Sequence, residues 1–137
     1  MKWLLDTNVC IDVLRGRPEV VARFRVHSPE DFVVSVITEF ELLNGTGRAP
    51  EAFRDSEKRK VNSLLAQFQI IPFDSECAKL AGKVHASLLN DGTPVGIMDV
   101  FIAATAMKLE IPVVTSNLRD FSRFQSLVLL DWRENGE

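Results

Sequence analysis

Trp3-Leu4-Leu5-Asp6-Thr7-Asn8 decides how the rest of this chain is read. Three apolar residues end at a carboxylate, which reads as a short strand. Asp6-Thr7-Asn8 then supplies side chains suited to capping a helix N-terminus. The spacing predicts a short helix over Val9 to Leu14, stopped near Gly16-Arg17-Pro18. A second helix is expected from Pro18 to His27, with proline in its first turn, where a missing N–H costs little. A strand feeding directly into a helix is the opening unit of an α/β domain, whose ligands bind outside the carboxyl ends of the strands.

The same alternation continues. Asp31-Phe32-Val33-Val34-Ser35 reads as a second strand, and Val36 to Asn44 as a helix with Gly45 as its stop. Gly45 to Pro50 has the composition of a loop, and Glu51 to Gln67 that of a helix charged on one side. Phe68 to Phe73 is a third strand. Asp74 to Leu89 carries Cys77, Leu80, Ala81, Val84 and Leu88 at helical intervals, and Asn90-Asp91-Gly92-Thr93-Pro94 ends it. Met98 to Leu109, small, apolar and rich in alanine, is expected to be a buried helix, Ile111 to Thr115 a strand and Leu127 to Leu130 the last strand. The pattern predicts a single three-layer α/β/α domain over residues 1–137 around a central, mostly parallel sheet.

At 137 residues the chain is long enough for one substantial core, and 46% hydrophobic with 26% charged residues is ordinary for a globular domain. No apolar run approaches the ~20 residues that span a bilayer. The start is too short for a secretory apolar region, and two cysteines make no disulfide framework, so a cytoplasmic protein without membrane contact is expected. A net charge of −3 is unlike the broad basic surface of many nucleic-acid binders. The basic residues are nevertheless clustered, at Arg15 and Arg17, Arg23 and Arg25, and Lys58-Arg59-Lys60, and an acidic pocket would itself lower the total.

Three acidic residues, Asp6, Glu41 and Asp99, fall where strands give way to helices or helices open, and Asp120 follows the last strong strand signal. Parallel sheets bring such positions to one edge, and carboxylates converging there commonly hold a divalent metal against phosphate oxygens. Each has a plainer reading. Asp6 serves equally as a helix cap, and Asp99 as a first-turn acid favoured by the helix dipole. Asn8 is either a second cap or an orienting partner of Asp6. Glu39 and Glu41 lie on nearly opposite sides of their helix, and spacing alone does not choose between them. Asp99 shares a face with Ile102, Ala103 and Ala106, which places the carboxylate at the head of a buried stripe. In Thr115-Ser116-Asn117-Leu118-Arg119-Asp120, the hydroxyls of Thr115 and Ser116 can hold a water or a neighbouring carboxylate. Asn117 and Asp120 both fit a fourth coordinating position.

Taken together, these segments resemble the PIN-domain ribonucleases, and in particular the VapC-type toxins of bacterial type II toxin–antitoxin pairs. The resemblance runs through Leu5-Asp6-Thr7-Asn8, Ser35-Val36-Ile37-Thr38 with Glu41-Leu42 and Gly45, Gly96-Ile97-Met98-Asp99 with Ile102-Ala103-Ala104, and Thr115-Ser116-Asn117 with Asp120-Phe121. It covers nearly the whole chain in the family's order. The family's Thr-x-x-Glu-Leu setting selects Glu41 over Glu39.

The resemblance implies a PIN-like fold and hydrolysis of RNA, with tRNA among the candidate substrates, assisted by Mg²⁺ or Mn²⁺. Asp6, Glu41 and Asp99 would be metal ligands, with Asp120 or Asn117 at the fourth corner and toward a second metal. Asn8, Thr115, Ser116 and Asn117 would support them, and Arg119, Arg15 and Arg17 would grip RNA. It further implies a homodimer and a VapB-type antitoxin, both contacted by the loop and helix of about residues 45–67. Two other readings are weighed beside it. A catalytically inactive PIN-like binding module would not need three intact acids, and an aspartate-based phosphatase would need a lysine that does not follow Val113-Val114-Thr115.

Overall fold

The computed structural model describes residues 2–134; the ends of the expected domain, residue 1 and residues 135–137, lie outside that range. Five short strands, β1 (Trp3–Leu5), β2 (Phe32–Ser35), β3 (Gln69–Ile71), β4 (Val113–Val114) and β5 (Leu129–Leu130), form one sheet in the order β3-β2-β1-β4-β5. Every pairing is parallel. The helices between them are α1 (Thr7–Arg15), α2 (Pro18–Arg25), α3 (Val36–Gly47), α4 (Glu51–Leu65), α5 (Ser75–Asn90), α6 (Ile97–Leu109) and α7 (Leu118–Phe121). Among the described residues, no helix is long and apolar enough to cross a membrane.

Successive strand residues face opposite sides of the sheet, so each strand serves two cores. Leu4, Val33, Ile71 and Val113 pack with Ala81, Leu88 and the apolar stripe of α6. Leu5, Val34 and Val114 pack on the other side with Val9, Val20, Leu64 and Trp132. Burial on both faces explains why the strands are continuous apolar runs rather than alternating ones. The alanine-rich α6 is buried from Ile102 through Ala106, as its composition implied.

The order of the strands fixes where a ligand can enter. From β1 the chain builds outward to β2 and β3, then returns to the other side of β1 for β4 and β5. The direction of winding therefore reverses between β1 and β4, and a crevice opens there beyond their carboxyl ends.

Some local expectations are corrected. Gly45 does not stop α3, which runs on to Gly47. Glycine ends a helix by taking a left-handed conformation, and Gly45 does not, whereas Gly16 at φ 75° ends α1 in that way. The buried Thr46 also donates its hydroxyl to the Leu43 carbonyl at 2.8 Å, inside the helix. Only Arg48, Ala49 and Pro50 therefore connect α3 to α4. The segment after β4, read as a polar turn, contains α7. In α4, Val61, Leu64 and Leu65 are buried while Glu51 to Asp55 stand in solvent, so its first turns project from the body.

His27 is structural: it lies edge-on to Trp3 and stacks over Trp132. The C-terminal segment is tied to α1 by Arg133, whose Nε and Nη2 each donate to the Asp12 carboxylate at 2.9 Å.

Phe121 is fully buried and is the residue that anchors α7 to the body. Phe121→Ala should cost about 3–5 kcal/mol of stability in urea unfolding. A loss below about 1 kcal/mol would show that α7 is held by something else.

Candidate active site

Asp6 sits at the point where winding reverses. Leu5 pairs with Val114 in the sheet, so Asp6 and Thr115 are the next residues out on adjacent strands. One oxygen of Asp6 accepts the Thr7 N–H at 2.7 Å, which caps α1, and the other accepts the Thr115 hydroxyl at 2.8 Å. The Thr115 oxygen accepts the Asn117 N–H at 2.9 Å, so its own proton is directed at Asp6. Asp6 is therefore both a cap and a site residue.

Glu41 reaches the same place from α3. The Thr7 hydroxyl donates to Glu41 Oε1 at 2.6 Å, and the Thr7 and Thr38 hydroxyl oxygens are 2.9 Å apart. The single Thr7 proton is engaged by a carboxylate, so Thr38 must donate to Thr7. A relay from Thr38 through Thr7 thus fixes Glu41. Both threonines stand in the quoted motifs, but the sequence reading named neither as a hydrogen-bond partner of Glu41. The available signal was position: Thr7 follows the strand-end acid, and Thr38 lies three residues before Glu41 on the same helical face.

The third side is built by α6 and α7. Asp99, in the first turn of α6, accepts from Asn117 Nδ2 at 3.3 Å, and the same nitrogen reaches Asp120 at 3.4 Å. Two carboxylates can only accept, so the Asn117 amide nitrogen, not its oxygen, faces them. Asn117 is a neutral spacer between two acids in this arrangement. Ser116 is half-buried beside it, whereas Asn8 is exposed and does not orient Asp6. Arg119 on α7 and Arg15 at the end of α1 are exposed, while Arg17 is engaged with Glu19 at 3.3 Å.

The electrostatics follow from this crowding. Burial pushes the Asp6 carboxyl up to about 6, and the charges of Asp99 and Glu41 add to the rise, while the Thr115 and Thr7 hydrogen bonds oppose it. Burial also lifts Asp99 to about 6, helped by Glu41 and then Asp120. Among the described residues no Lys, Arg or His pairs with any of the four acids. Burial and Asp6 drive the Cys10 thiol upward, which keeps it protonated and unavailable as a soft ligand.

The donor chemistry suits a hard divalent cation: carboxylate oxygens, no thiolate and no imidazole. Among the described residues, no three His, Cys, Asp or Glu groups are drawn to metal-ligand separation. Hydroxyl and amide donors lie between the acids instead, as repulsion between like charges requires.

The sequence pattern of the PIN domain family matches residues 3–127. This chain belongs to the PIN domain family. Among its relatives, the tRNA(fMet)-specific endonuclease VapC of Salmonella typhimurium is 33% identical, over 96% of this chain and 98% of that protein. Ribonuclease VapC of Haemophilus influenzae is 30% identical over the same shares. The solved DNA-bound VapBC complex of Salmonella typhimurium contains a chain that superimposes with a TM-score of 0.88 at 31% identity, covering 96% of this chain and 98% of that one. The PIN architecture expected from the sequence is thus present.

The raised carboxyls make stability depend on pH in a defined direction. Asp6 and Asp99 release their protons near 3.8 when unfolded and near 6 when folded. Between those values the folded PIN domain binds more protons, so stability is lost as pH rises through that window. For Asp6 alone the loss is at most about 3 kcal/mol. Asp74, held down to about 2 by Lys108, acts in the opposite sense but only below pH 4. In chelator, the melting temperature should therefore be higher at pH 5 than at pH 7.5. Asp6→Asn should be more stable than the parent at pH 7.5 and should flatten the profile; a parent profile already flat from pH 5 to 7.5 would contradict the assignment.

Proposed function

We propose that this protein is a metal-dependent endoribonuclease acting as the toxin of a toxin–antitoxin pair, restrained by a VapB-type antitoxin. The observation that carries the reading is the convergence of Asp6, Glu41, Asp99 and Asp120 at the β1/β4 crevice, fixed by hydroxyl and amide donors and, among the described residues, by no cation. Beyond the Asp6 cap of α1, folding gains little from such a cluster, because buried like charges cost free energy. The similarity to VapC endonucleases over nearly the whole length supports RNA, and a tRNA in particular, as substrate. The same acids argue against an inactive module. In place of a phosphatase's lysine, Thr115-Ser116-Asn117 follows β4.

Asp6, Glu41, Asp99 and Asp120 would hold Mg²⁺ or Mn²⁺, with Asn117 spacing two of them. Such an ion, when bound, polarises a phosphodiester and acidifies the attacking water. The chain's own part is orientation. Thr115 and Thr7 aim the lone pairs of Asp6 and Glu41, and α7 closes the site on the Asp120 side. Arg119 and Arg15 are placed to meet flanking phosphates. The expected products carry a 5′-phosphate and a 3′-hydroxyl.

Purified protein should cleave tRNA with Mg²⁺ or Mn²⁺ and stop in EDTA. Asp6→Asn and Asp99→Asn should each lower the rate at least about a hundredfold, the scale of losing several kcal/mol of charge stabilisation. Cleavage that survives EDTA or either substitution refutes the metal mechanism.

The single domain over 1–137 is proposed to use about residues 45–67 for a homodimer and for its antitoxin. Phe53, 60% exposed on the projecting turns of α4, supports this, and Phe40, 54% exposed on the preceding α3, is a second exposed aromatic just outside the segment. The double variant Phe40→Glu with Phe53→Glu should lower the mass seen by light scattering or weaken capture by co-expressed antitoxin. If both stay at parental values, the surface of α3 and α4 is not the interface.

A further inference from the structure

Outside the acidic centre, the most informative feature is the groove that leaves it between α1 and α4. Its inner part, ≈ 470 Å³, is lined by Glu41 together with Arg15, Leu14, Thr46 and Lys60. Its outer part, ≈ 510 Å³, shares Leu14 and Lys60 with the first and adds Arg59, Ser56, Ser63 and Gln67. The shared residues place the two side by side along α1 and α4, as two stretches of one channel-like surface.

Beyond Glu41, the charged lining is Arg15, Arg59 and Lys60 against the single acid Glu57. Lys60 meets Glu57 at 3.6 Å, but both side chains are about half exposed or more, a pair that gains little and yields readily to a phosphate. Arg15 and Arg59 pair with no carboxylate among the described residues. Ser56, Ser63 and Gln67 add neutral donors along the same wall. The channel is thus locally cationic although the chain carries −3 overall.

We propose that this channel holds the RNA backbone on one side of the scissile bond. Arg15 and Lys60 take the phosphates next to Glu41, and Arg59 takes one further out. The inference rests on the ribonuclease reading and extends it to residues with no part in the chemistry. It also reassigns Lys58-Arg59-Lys60: two of the three face the channel, and Lys58 does not. Arg17 has no place in it, because it lines neither part.

The test measures binding of a fluorescent RNA hairpin, in Ca²⁺ and across a salt series, to the parent and to Arg15→Ala, Arg59→Ala and Lys60→Ala. The exposed Lys83→Ala on α5 is the control, and melting temperatures check folding. Each channel variant should bind roughly three- to tenfold more weakly and reduce the slope of log affinity against log salt by about 0.7–1, the signature of one lost phosphate contact. In single-turnover cleavage, the half-saturating protein concentration should rise while the plateau rate stays within about threefold, since contacts equal in ground and transition state change binding alone. Slopes equal to the parent's in Arg15→Ala and Lys60→Ala overturn the proposal. So does a result in which these variants lose only antitoxin binding, because the channel then belongs to a protein. Because binding is read without turnover, slopes that fall in a protein that cleaves no RNA would uphold the channel and refute the nuclease reading. Cleavage with unchanged slopes would do the reverse.

Discussion

A carboxylate placed between two parallel strands at the point where their winding reverses is the constraint on which this molecule turns. Asp6 cannot be removed from water without donors, and the fold supplies two, one from the helix it caps and one from the neighbouring strand end. Those bonds make the β1/β4 pairing, the start of α1 and the floor of the site a single arrangement. Glu41 joins it through Thr7, the residue that follows Asp6, so α3 is keyed to the same joint. The remaining acids come from α6 and α7, whose packing is set by the apolar stripe of α6 and by Phe121.

The free-energy consequence is a built-in conflict. Burial and mutual repulsion raise two carboxyls at the centre. The fold tolerates this because the sheet is covered on both faces by continuous apolar packing. Local instability at a functional site, offset by the core around it, is the usual arrangement in enzymes.

Net charge is a poor guide to such a protein. The sum of −3 mixes a cluster of acids in one crevice with cations along a neighbouring groove, and the two do opposite things to a polyanion. Arg59 and Lys60, about 100° apart around α4, both line the groove that α4 forms with α1.

The sequence by itself determined the alternation of strands and helices, the parallel sheet and the set of acids worth considering, because these follow from apolar runs, caps and residue type. Family resemblance, carried by motifs at fixed order, separated Glu41 from Glu39, which helical spacing did not. Only the tertiary structure decided that α3 passes through Gly45, that Asn117 spaces two acids with its amide nitrogen, and that Asn8 stands outside the site while Thr7 and Thr38 stand within it. The contacts within the site depend on partners remote in sequence: Thr115 is beside Asp6 only because β4 pairs with β1, and Asn117 meets Asp99 only because α7 folds onto α6. Local pattern records which face a residue occupies; which other residue waits there is settled when the sheet closes its order.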